Sequence, residues 1–185
     1  FTKMKDGDIY DISMDWETTY GGGIYVSGHI SSHEFSQNLF QHCLATRAGG
    51  GLRVDGDLNS TVFSHNRFKD CAVSAGTPDN NGGGISVVKS INLETFNHNT
   101  FENCSAEFSG GGIAILEGNI ESVHFTRNTF SNCVAQIVNE YVIEAVKNPE
   151  THVSINSQKA YGGGIAVLKG SFESVNMTDN TFTNC

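Results

Sequence analysis

Five cysteines are the residues whose spacing most directly suggests chemistry. Each of them is the last residue of one copy of a repeated sequence motif: Cys43, Cys71, Cys104, Cys133 and Cys185. If the copies stack, neighbouring Cα atoms lie about 4.8 Å apart, which is within the range that a disulfide bond allows. The alternative is a column of buried, reduced thiols that act as small apolar fillers. One ligand per copy in a straight line does not form the tetrahedron that zinc prefers, so no metal site is predicted there.

Two histidines offer weaker metal chemistry. His65 and His98 occupy equivalent places in neighbouring copies, where stacking would bring their rings near enough to share an ion. Their counterparts in the other copies are Gln37, Arg127 and Asp179, so the position does not give a column of ligands. Solvated turn residues are therefore the favoured interpretation.

An acidic segment near the start of the sequence is the remaining metal candidate. Residues 6–11, with Asp15 and Glu17, carry carboxylates of the kind that bind calcium. They lack the 12-residue pattern and the terminal glutamate of a calcium-binding loop, so a plain acidic loop is favoured. The sequence thus predicts no metal ion and no cofactor.

Three asparagines lie in sequons for N-linked glycosylation. They are Asn59, Asn103 and Asn176, each followed two residues later by serine or threonine. In a secreted protein, Asn59 and Asn176 are the better glycan sites. Asn103 is weaker because its sequon includes one of the repeated cysteines.

These residues belong to a sequence motif that occurs five times. Each copy opens with three glycines and an aliphatic residue, and the triplets occupy residues 21–23, 49–51, 82–84, 110–112 and 162–164. So regular a repeat predicts a solenoid, in which one unit cannot bury its own apolar face and stacking supplies the core. Many glycines (21) and few prolines (2) suit short strands joined by tight turns.

Alternation after each triplet indicates a strand with one buried face. The first and third residues are aliphatic in every copy, whereas the residue between them varies. Further matched positions follow at fixed offsets. They are an aromatic position (Phe35, Phe63, Phe96, Phe125 and, as a departure, Met177), an asparagine (Asn38, Asn66, Asn99, Asn128, Asn180) and a second phenylalanine (Phe40, Phe68, Phe101, Phe130, Phe182).

The pattern predicts an all-β fold: a right-handed, single-stranded parallel β-helix of about five coils, with three short strands per coil. Stacked phenylalanines would bury apolar area. The asparagines would form the bends, because asparagine tolerates left-handed backbone angles and its amide bonds neighbouring groups. We interpret residues 1–185 as a single fragment of a longer solenoid.

The large differences in length lie between the cysteine and the next glycine triplet. The predicted loop excursions are residues 1–20, 72–81 and 134–161, all at one edge of the solenoid. Loops inserted at one edge commonly form the working face of a repeat protein, so we expect any binding specificity there.

Catalysis would need paired carboxylates, or carboxylates with calcium, beside a basic residue. Among the outward positions of the first strand, Asp55 and Arg53 are the residues able to take part, and no second carboxylate joins them. We therefore predict that the chain is not an enzyme.

The net charge of −9 argues against a nucleic-acid-binding surface. No stretch of about 18 apolar residues is present, so no membrane-spanning segment is expected in this fragment.

The glycine triplets alternating with Phe-x-x-Asn resemble the repeat of the chlamydial polymorphic membrane proteins. The motif begins at Phe35, Phe63, Phe96 and Phe125, and a third glycine replaces the usual alanine. This resemblance implies a β-helix exposed at a cell surface, extracellular and adhesive, with no general catalytic residues. It implies a host or neighbouring-cell surface protein or glycan as partner. The alternatives are a fibre subunit that associates end to end and a fragment of a carbohydrate-active enzyme.

Overall fold

The computed structural model describes residues 20–74, 81–135 and 162–185. Every regular element in these ranges is a β-strand, and the strands form four parallel sheets. Neighbouring strands in each sheet come from successive coils. The prediction of an all-β parallel solenoid is therefore confirmed.

The strands follow one another in the same order in each coil. The first coil has β1 (Ile24–Val26), β2 (Ile30–Ser36), β3 (Leu39–Gln41) and β4 (Leu44–Ala45). The second has β5 (Leu52–Val54), β6 (Leu58–Ser64), β7 (Arg67–Lys69) and β8 (Ala72–Val73). The third has β9 (Ile85–Val87), β10 (Ile91–Asn97), β11 (Thr100–Glu102) and β12 (Ser105–Ala106). The fourth has β13 (Ile113–Ile115), β14 (Ile120–Thr126), β15 (Thr129–Ser131) and β16 (Val134–Ala135), and the fifth has β17 (Ile165–Val167), β18 (Phe172–Asn176) and β19 (Thr181–Thr183).

The coil differs from the prediction in two respects. Four coils are complete and the fifth contributes three strands, where about five coils were expected. Each complete coil also has a fourth strand of two residues directly after the cysteine. Two residues are too few to show an alternating pattern, so this strand was not predicted. As a result, β8 and β16 occupy the first residues of two segments that were expected to be loops.

Both insertions leave the stacking register intact. Across residues 75–80, Leu52 of β5 pairs with Ile85 of β9. Across residues 136–161, Ile113 of β13 pairs with Ile165 of β17. The solenoid therefore continues in register on either side of segments of very different length.

Two columns of stacked phenylalanine rings fill the core. The first contains Phe35, Phe63, Phe96 and Phe125, and the second contains Phe40, Phe68, Phe101, Phe130 and Phe182. Successive ring centroids lie between 4.5 and 5.0 Å apart, with the rings nearly parallel. Matched side chains of consecutive coils thus lie over one another, which is the premise on which the predicted ladders depend.

The bends are formed by other residues than expected. We expected the asparagines at the bends because asparagine tolerates left-handed backbone angles, but the ladder asparagines are not the residues that adopt them. The left-handed residue is the one before each asparagine (Gln37, His65, His98, Arg127 and Asp179) and the one before each cysteine (His42, Asp70, Asn103, Asn132 and Asn184), with φ between 51° and 57°. The side-chain amide of each ladder asparagine is held by hydrogen bonds to neighbouring coils, so the preceding residue makes the turn.

Each of the three glycines in a triplet is required for a different structural reason. The first adopts a left-handed angle, as at Gly82 with φ of 69°. A Cβ on Gly83 would lie 2.4 Å from the carbonyl oxygen of Gly111 in the next coil. A Cβ on Gly84 would lie 2.7 Å from the Phe101 ring. The triplet therefore permits close stacking and makes room for the second phenylalanine column.

The longest strand of each coil contains one unpaired residue. Pairing between β2 and β6 runs from Ser32 with Ser60 directly to Glu34 with Val62, and the residue between has no partner in the register. Thr61 of β6 is skipped in the same way, so the offset between the two strands is unchanged and the side-chain alternation shifts by one in both. This explains how Leu58 and Phe63, five positions apart, both face the core.

A serine beside this irregularity yields a stability prediction. Ser60 Oγ donates a hydrogen bond to the Val62 carbonyl at 3.0 Å, whereas Ser122 Oγ is buried without a hydrogen-bond partner among the described residues. An unsatisfied buried hydroxyl costs about 1–3 kcal/mol. We expect Ser122→Ala to raise the free energy of unfolding by about 1 kcal/mol and Ser60→Ala to lower it. Urea denaturation of both variants checks this, and a loss of stability in Ser122→Ala contradicts it.

Candidate functional site

A cluster of polar side chains lies on the outer face of the sheet that contains β1, β5 and β9. The Arg53 side chain is 8% exposed, and its Nε donates a hydrogen bond to Asp55 Oδ1 at 2.7 Å. Its Nη1 donates to Ser86 Oγ at 2.7 Å. The Tyr25 hydroxyl donates to Asp55 Oδ2, also at 2.7 Å. Tyr25, Arg53 and Ser86 all occupy the variable position between the two aliphatic residues that follow a glycine triplet. Three successive coils thus contribute one side chain each.

Two tyrosines and two arginines complete this cluster. The Tyr20 and Tyr25 rings are stacked, with centroids 5.5 Å apart. The guanidinium carbons of Arg53 and Arg47 lie 5.5 and 5.7 Å from the Tyr20 ring centroid, which is cation–π distance. Arg47 also donates a hydrogen bond to the Tyr20 hydroxyl at 2.9 Å. The cluster is therefore an aromatic surface with fixed cations.

The Tyr25 hydroxyl and the Asp55 carboxylate of this cluster are held by hydrogen bonds. Burial, and then the hydrogen bond to Asp55, raise the pKa of Tyr25 to about 12. Tyr25 thus stays protonated at neutral pH. Both Asp55 oxygens accept hydrogen bonds from neighbouring donors, and no second carboxylate joins this cluster of described residues. The geometry presents a satisfied carboxylate, without the paired acids that glycoside hydrolysis uses.

The predicted asparagine column is a continuous amide ladder. Nδ2 of Asn99 donates to Asn128 Oδ1 at 3.1 Å and to the Phe63 carbonyl at 3.0 Å. Its Oδ1 accepts from the backbone N–H and the Nδ2 of Asn66, at 3.0 and 3.1 Å. The same arrangement recurs along the column, and every amide donates toward the following coil. These residues satisfy buried polar groups at the bend and leave the amide of Asn99 no capacity for a ligand.

The five cysteines are free thiols. Cys71, Cys104 and Cys133 are fully buried, Cys43 is half-buried and Cys185 is exposed. The structure therefore has the reduced form of the column and not the disulfides that the spacing also allowed. Each thiol from the second coil onward contacts two carbonyl oxygens, one two residues earlier and one in the preceding coil.

Contacts between thiols make their protons interdependent. Hydrogen bonds with Cys133 and Cys71, followed by burial, raise the pKa of Cys104 well above its ordinary value. Hydrogen bonds from Cys104 and Cys43 lower the pKa of Cys71, because they stabilise its thiolate.

The two histidines do lie together, as their spacing predicted. The His65 and His98 rings are stacked with centroids 4.8 Å apart. Burial, then the electrostatic influence of His65 and Arg127, lower the pKa of His98. In the described ranges, no group of three or more His, Cys, Asp or Glu side chains is placed to hold a metal ion. The acidic segment 6–11, Asp15 and Glu17 lie outside the described residues.

The three sequon asparagines differ in how far their amides are engaged. Asn59 lies on β6 and its Oδ1 accepts from Asn92 at 2.7 Å. Asn176 is half-buried at the end of β18. Asn103 is exposed, but its Nδ2 donates to Asp70 at 2.9 Å and its Oδ1 accepts from Asn132 at 3.1 Å. A glycan on Asn103 would be attached to the Nδ2 that donates to Asp70.

Sequence analysis missed this second, exposed ladder. It links Asp70, Asn103, Asn132 and Asn184 through hydrogen bonds between successive coils. Its members occupy left-handed positions directly before the cysteines, where asparagine and aspartate are favoured. The recurrence of Asn or Asp before four of the five cysteines is the signal that would have revealed it.

Comparison of the chain with protein-family models, with curated proteins and with solved structures finds no match. The polymorphic membrane protein resemblance therefore depends on the repeat motif alone. Within the part of the chain that the structure describes, no helix has the length and apolar character needed to cross a membrane.

Proposed function

We propose that this chain is a non-catalytic adhesin-type module of an extracellular or cell-surface protein, similar to the chlamydial polymorphic membrane proteins. In this role the β-helix is a rigid support, and segments inserted at one edge bind a surface protein or glycan on a host or neighbouring cell. The main support is the unbroken register across both insertions. A scaffold that accepts segments of different length without a change in stacking suits the display of variable binding loops.

Replacement of the longer insertion tests this proposal. Residues 136–161 are exchanged for the three residues that connect the third coil to the fourth, Glu107, Phe108 and Ser109. We expect the shortened chain to keep its β-sheet circular dichroism and to lose adhesion, when coated on beads, to cultured epithelial cells and to a glycan array. A chain with residues 136–161 in scrambled order, at the same length, is the control. Undiminished adhesion by the shortened chain would contradict the proposal.

The fibre alternative has less support. Head-to-tail stacking requires open apolar ends on both terminal coils. Phe35 and Phe40 of the first coil are only 1% and 6% exposed, whereas Met177 and Phe182 of the fifth are 51% and 46% exposed. The first coil therefore does not present the open apolar end that this alternative requires. The enzyme alternative depends on Asp55, whose loss by Asp55→Ala would abolish carbohydrate turnover if it were correct.

A further inference from the structure

A groove follows the longest strands of the last three coils. A cavity of about 640 Å³ is lined by residues of β10, β14 and the first part of β18, up to Val175. A second cavity of about 260 Å³ is lined by later residues of the same three strands and by the bend that follows them, beginning at Asn176 on β18. Because Val175 and Asn176 are adjacent in the chain, the two cavities form one groove along the strand direction.

Two carboxylates lie opposite each other in the larger cavity. Glu121 pairs with Glu173 in the register of β14 with β18, and both are exposed. Like charges at opposed positions destabilise a sheet. Glu121 accepts a hydrogen bond from Asn119 and Glu173 accepts one from Ser171. Among the described residues that line this cavity there is no lysine, arginine or histidine. A bound cation between the two carboxylates would therefore remove their repulsion.

The larger cavity is also lined by a buried hydroxyl that lacks a partner. Ser122 is 4% exposed, and its Oγ forms no hydrogen bond within the part of the chain that the structure describes. Ser60 and Ser174, at the same register position, donate to a carbonyl two residues later, at 3.0 and 3.1 Å. An unsatisfied buried hydroxyl lowers stability. A ligand that supplies the missing hydrogen bond would give this serine a role in binding.

We propose that this groove is a docking surface for an extended, lysine-bearing segment of a protein partner. A lysine ammonium has three donors, which match Glu121, Glu173 and Ser122. Its aliphatic stem covers Val123 and Val175, which line the same cavity and are 42% and 87% exposed. The net charge of −9 attracts a basic partner over a longer range.

The smaller cavity suits the main chain of such a segment. Thr126 and Thr178 line it, and their hydroxyls can both donate and accept hydrogen bonds, as a peptide backbone requires. Its two charged residues, Arg127 and Asp179, form an ion pair at 3.7 Å and add no net charge. The groove belongs to the sheet of the longest strands, whereas both insertions lie between the fourth strand of one coil and the first strand of the next. This docking surface is therefore independent of the inserted segments.

Binding of a lysine peptide to the intact chain tests the proposal. The probe is a short, capped serine–threonine peptide with one central lysine, and isothermal titration calorimetry at low ionic strength measures its affinity. We expect Glu173→Gln to weaken binding about tenfold, because a charge-assisted hydrogen bond is lost. A peptide with norleucine in place of lysine should be weaker by about tenfold or more for the same reason. Glu34→Gln, an exposed carboxylate of β2 in the same sheet but outside the groove, is the control and should leave the affinity unchanged.

Ser122→Ala separates a binding role from a structural one. We expect this variant to unfold at a higher urea concentration and yet to bind the lysine peptide about fivefold more weakly, since one hydrogen bond to the ligand is lost. Unchanged affinity in Ser122→Ala or Glu173→Gln, an equal loss in Glu34→Gln, equal binding of the norleucine peptide, or no binding of the lysine peptide would each overturn the proposal. Tighter binding of a chitosan oligosaccharide, with the same dependence on Glu173, would assign the groove to an amino-sugar glycan and overturn the protein partner.

Discussion

Replacement of Phe101 with alanine is expected to lower the free energy of unfolding by about 3–5 kcal/mol. Phe101 is fully buried, and its ring stacks between Phe68 at 4.9 Å and Phe130 at 4.7 Å. Its removal deletes the transfer free energy of a large apolar side chain and leaves a cavity in the middle of the column. Neighbouring coils are fixed by their backbone hydrogen bonds, so they cannot collapse into the space. Equilibrium urea denaturation measures the loss.

Phe182→Ala is the matched control for this prediction. Phe182 belongs to the same column but lies in the fifth coil, where it is about half exposed. Among the described residues its one ring neighbour is Phe130, at 4.8 Å. We therefore expect it to cost less than half as much as Phe101→Ala. A cost below about 1 kcal/mol for Phe101→Ala would mean that stacking in the column does not govern stability.

The stacked core was predictable because the solenoid repeats its interactions at identical positions. A phenylalanine at the place of Phe68 and Phe101 has the same neighbours in every coil, so the same residue type is favoured each time. The pairing of Phe68 with Phe101 follows from the repeat alone. Period-two alternation after each glycine triplet identified the first strand for the same reason.

Features that depend on backbone geometry escaped prediction. The two-residue strands, such as β12, lack a pattern long enough to detect. The left-handed positions contain residues as different as Gln37, His98 and Arg127, so composition does not mark them. Only the position before the cysteines, with Asn103 and Asn132, is chemically consistent. The sequence predicts a structural feature when the same side-chain chemistry recurs in each coil. It does not predict a feature when only the backbone conformation recurs.

The candidate surface cluster was only partly predictable. Arg53 and Asp55 were recognised as neighbours in sequence, but Tyr20 and Ser86 approach them through stacking of separate coils. These positions are variable, so the repeat gives no expectation of what they contain. For the same reason, ladder residues say little about a partner. Binding specificity on a repeat scaffold resides in the positions and insertions that differ between coils.

The asparagine ladder has a direction, and this produces the second large effect. Asn99→Ala is expected to lower the free energy of unfolding by about 2–5 kcal/mol, since each buried group without a partner costs about 1–3 kcal/mol. The Asn99 amide oxygen accepts from both the backbone N–H and the Nδ2 of Asn66. Alanine leaves both donors of the preceding coil unpaired in a buried bend.

Asn38→Ala tests whether the direction of the ladder, and not the number of asparagines, sets this cost. Asn38 only donates along the column, to Asn66 Oδ1 at 2.8 Å, and that oxygen still accepts from the Asn38 backbone N–H at 3.1 Å when the side chain is removed. This variant leaves no described donor of a preceding coil without its acceptor. We therefore expect a loss of about 1 kcal/mol, the net value of one hydrogen bond. Equal losses in the two variants, measured by urea denaturation, would show that the unpaired donors of Asn66 do not carry the cost.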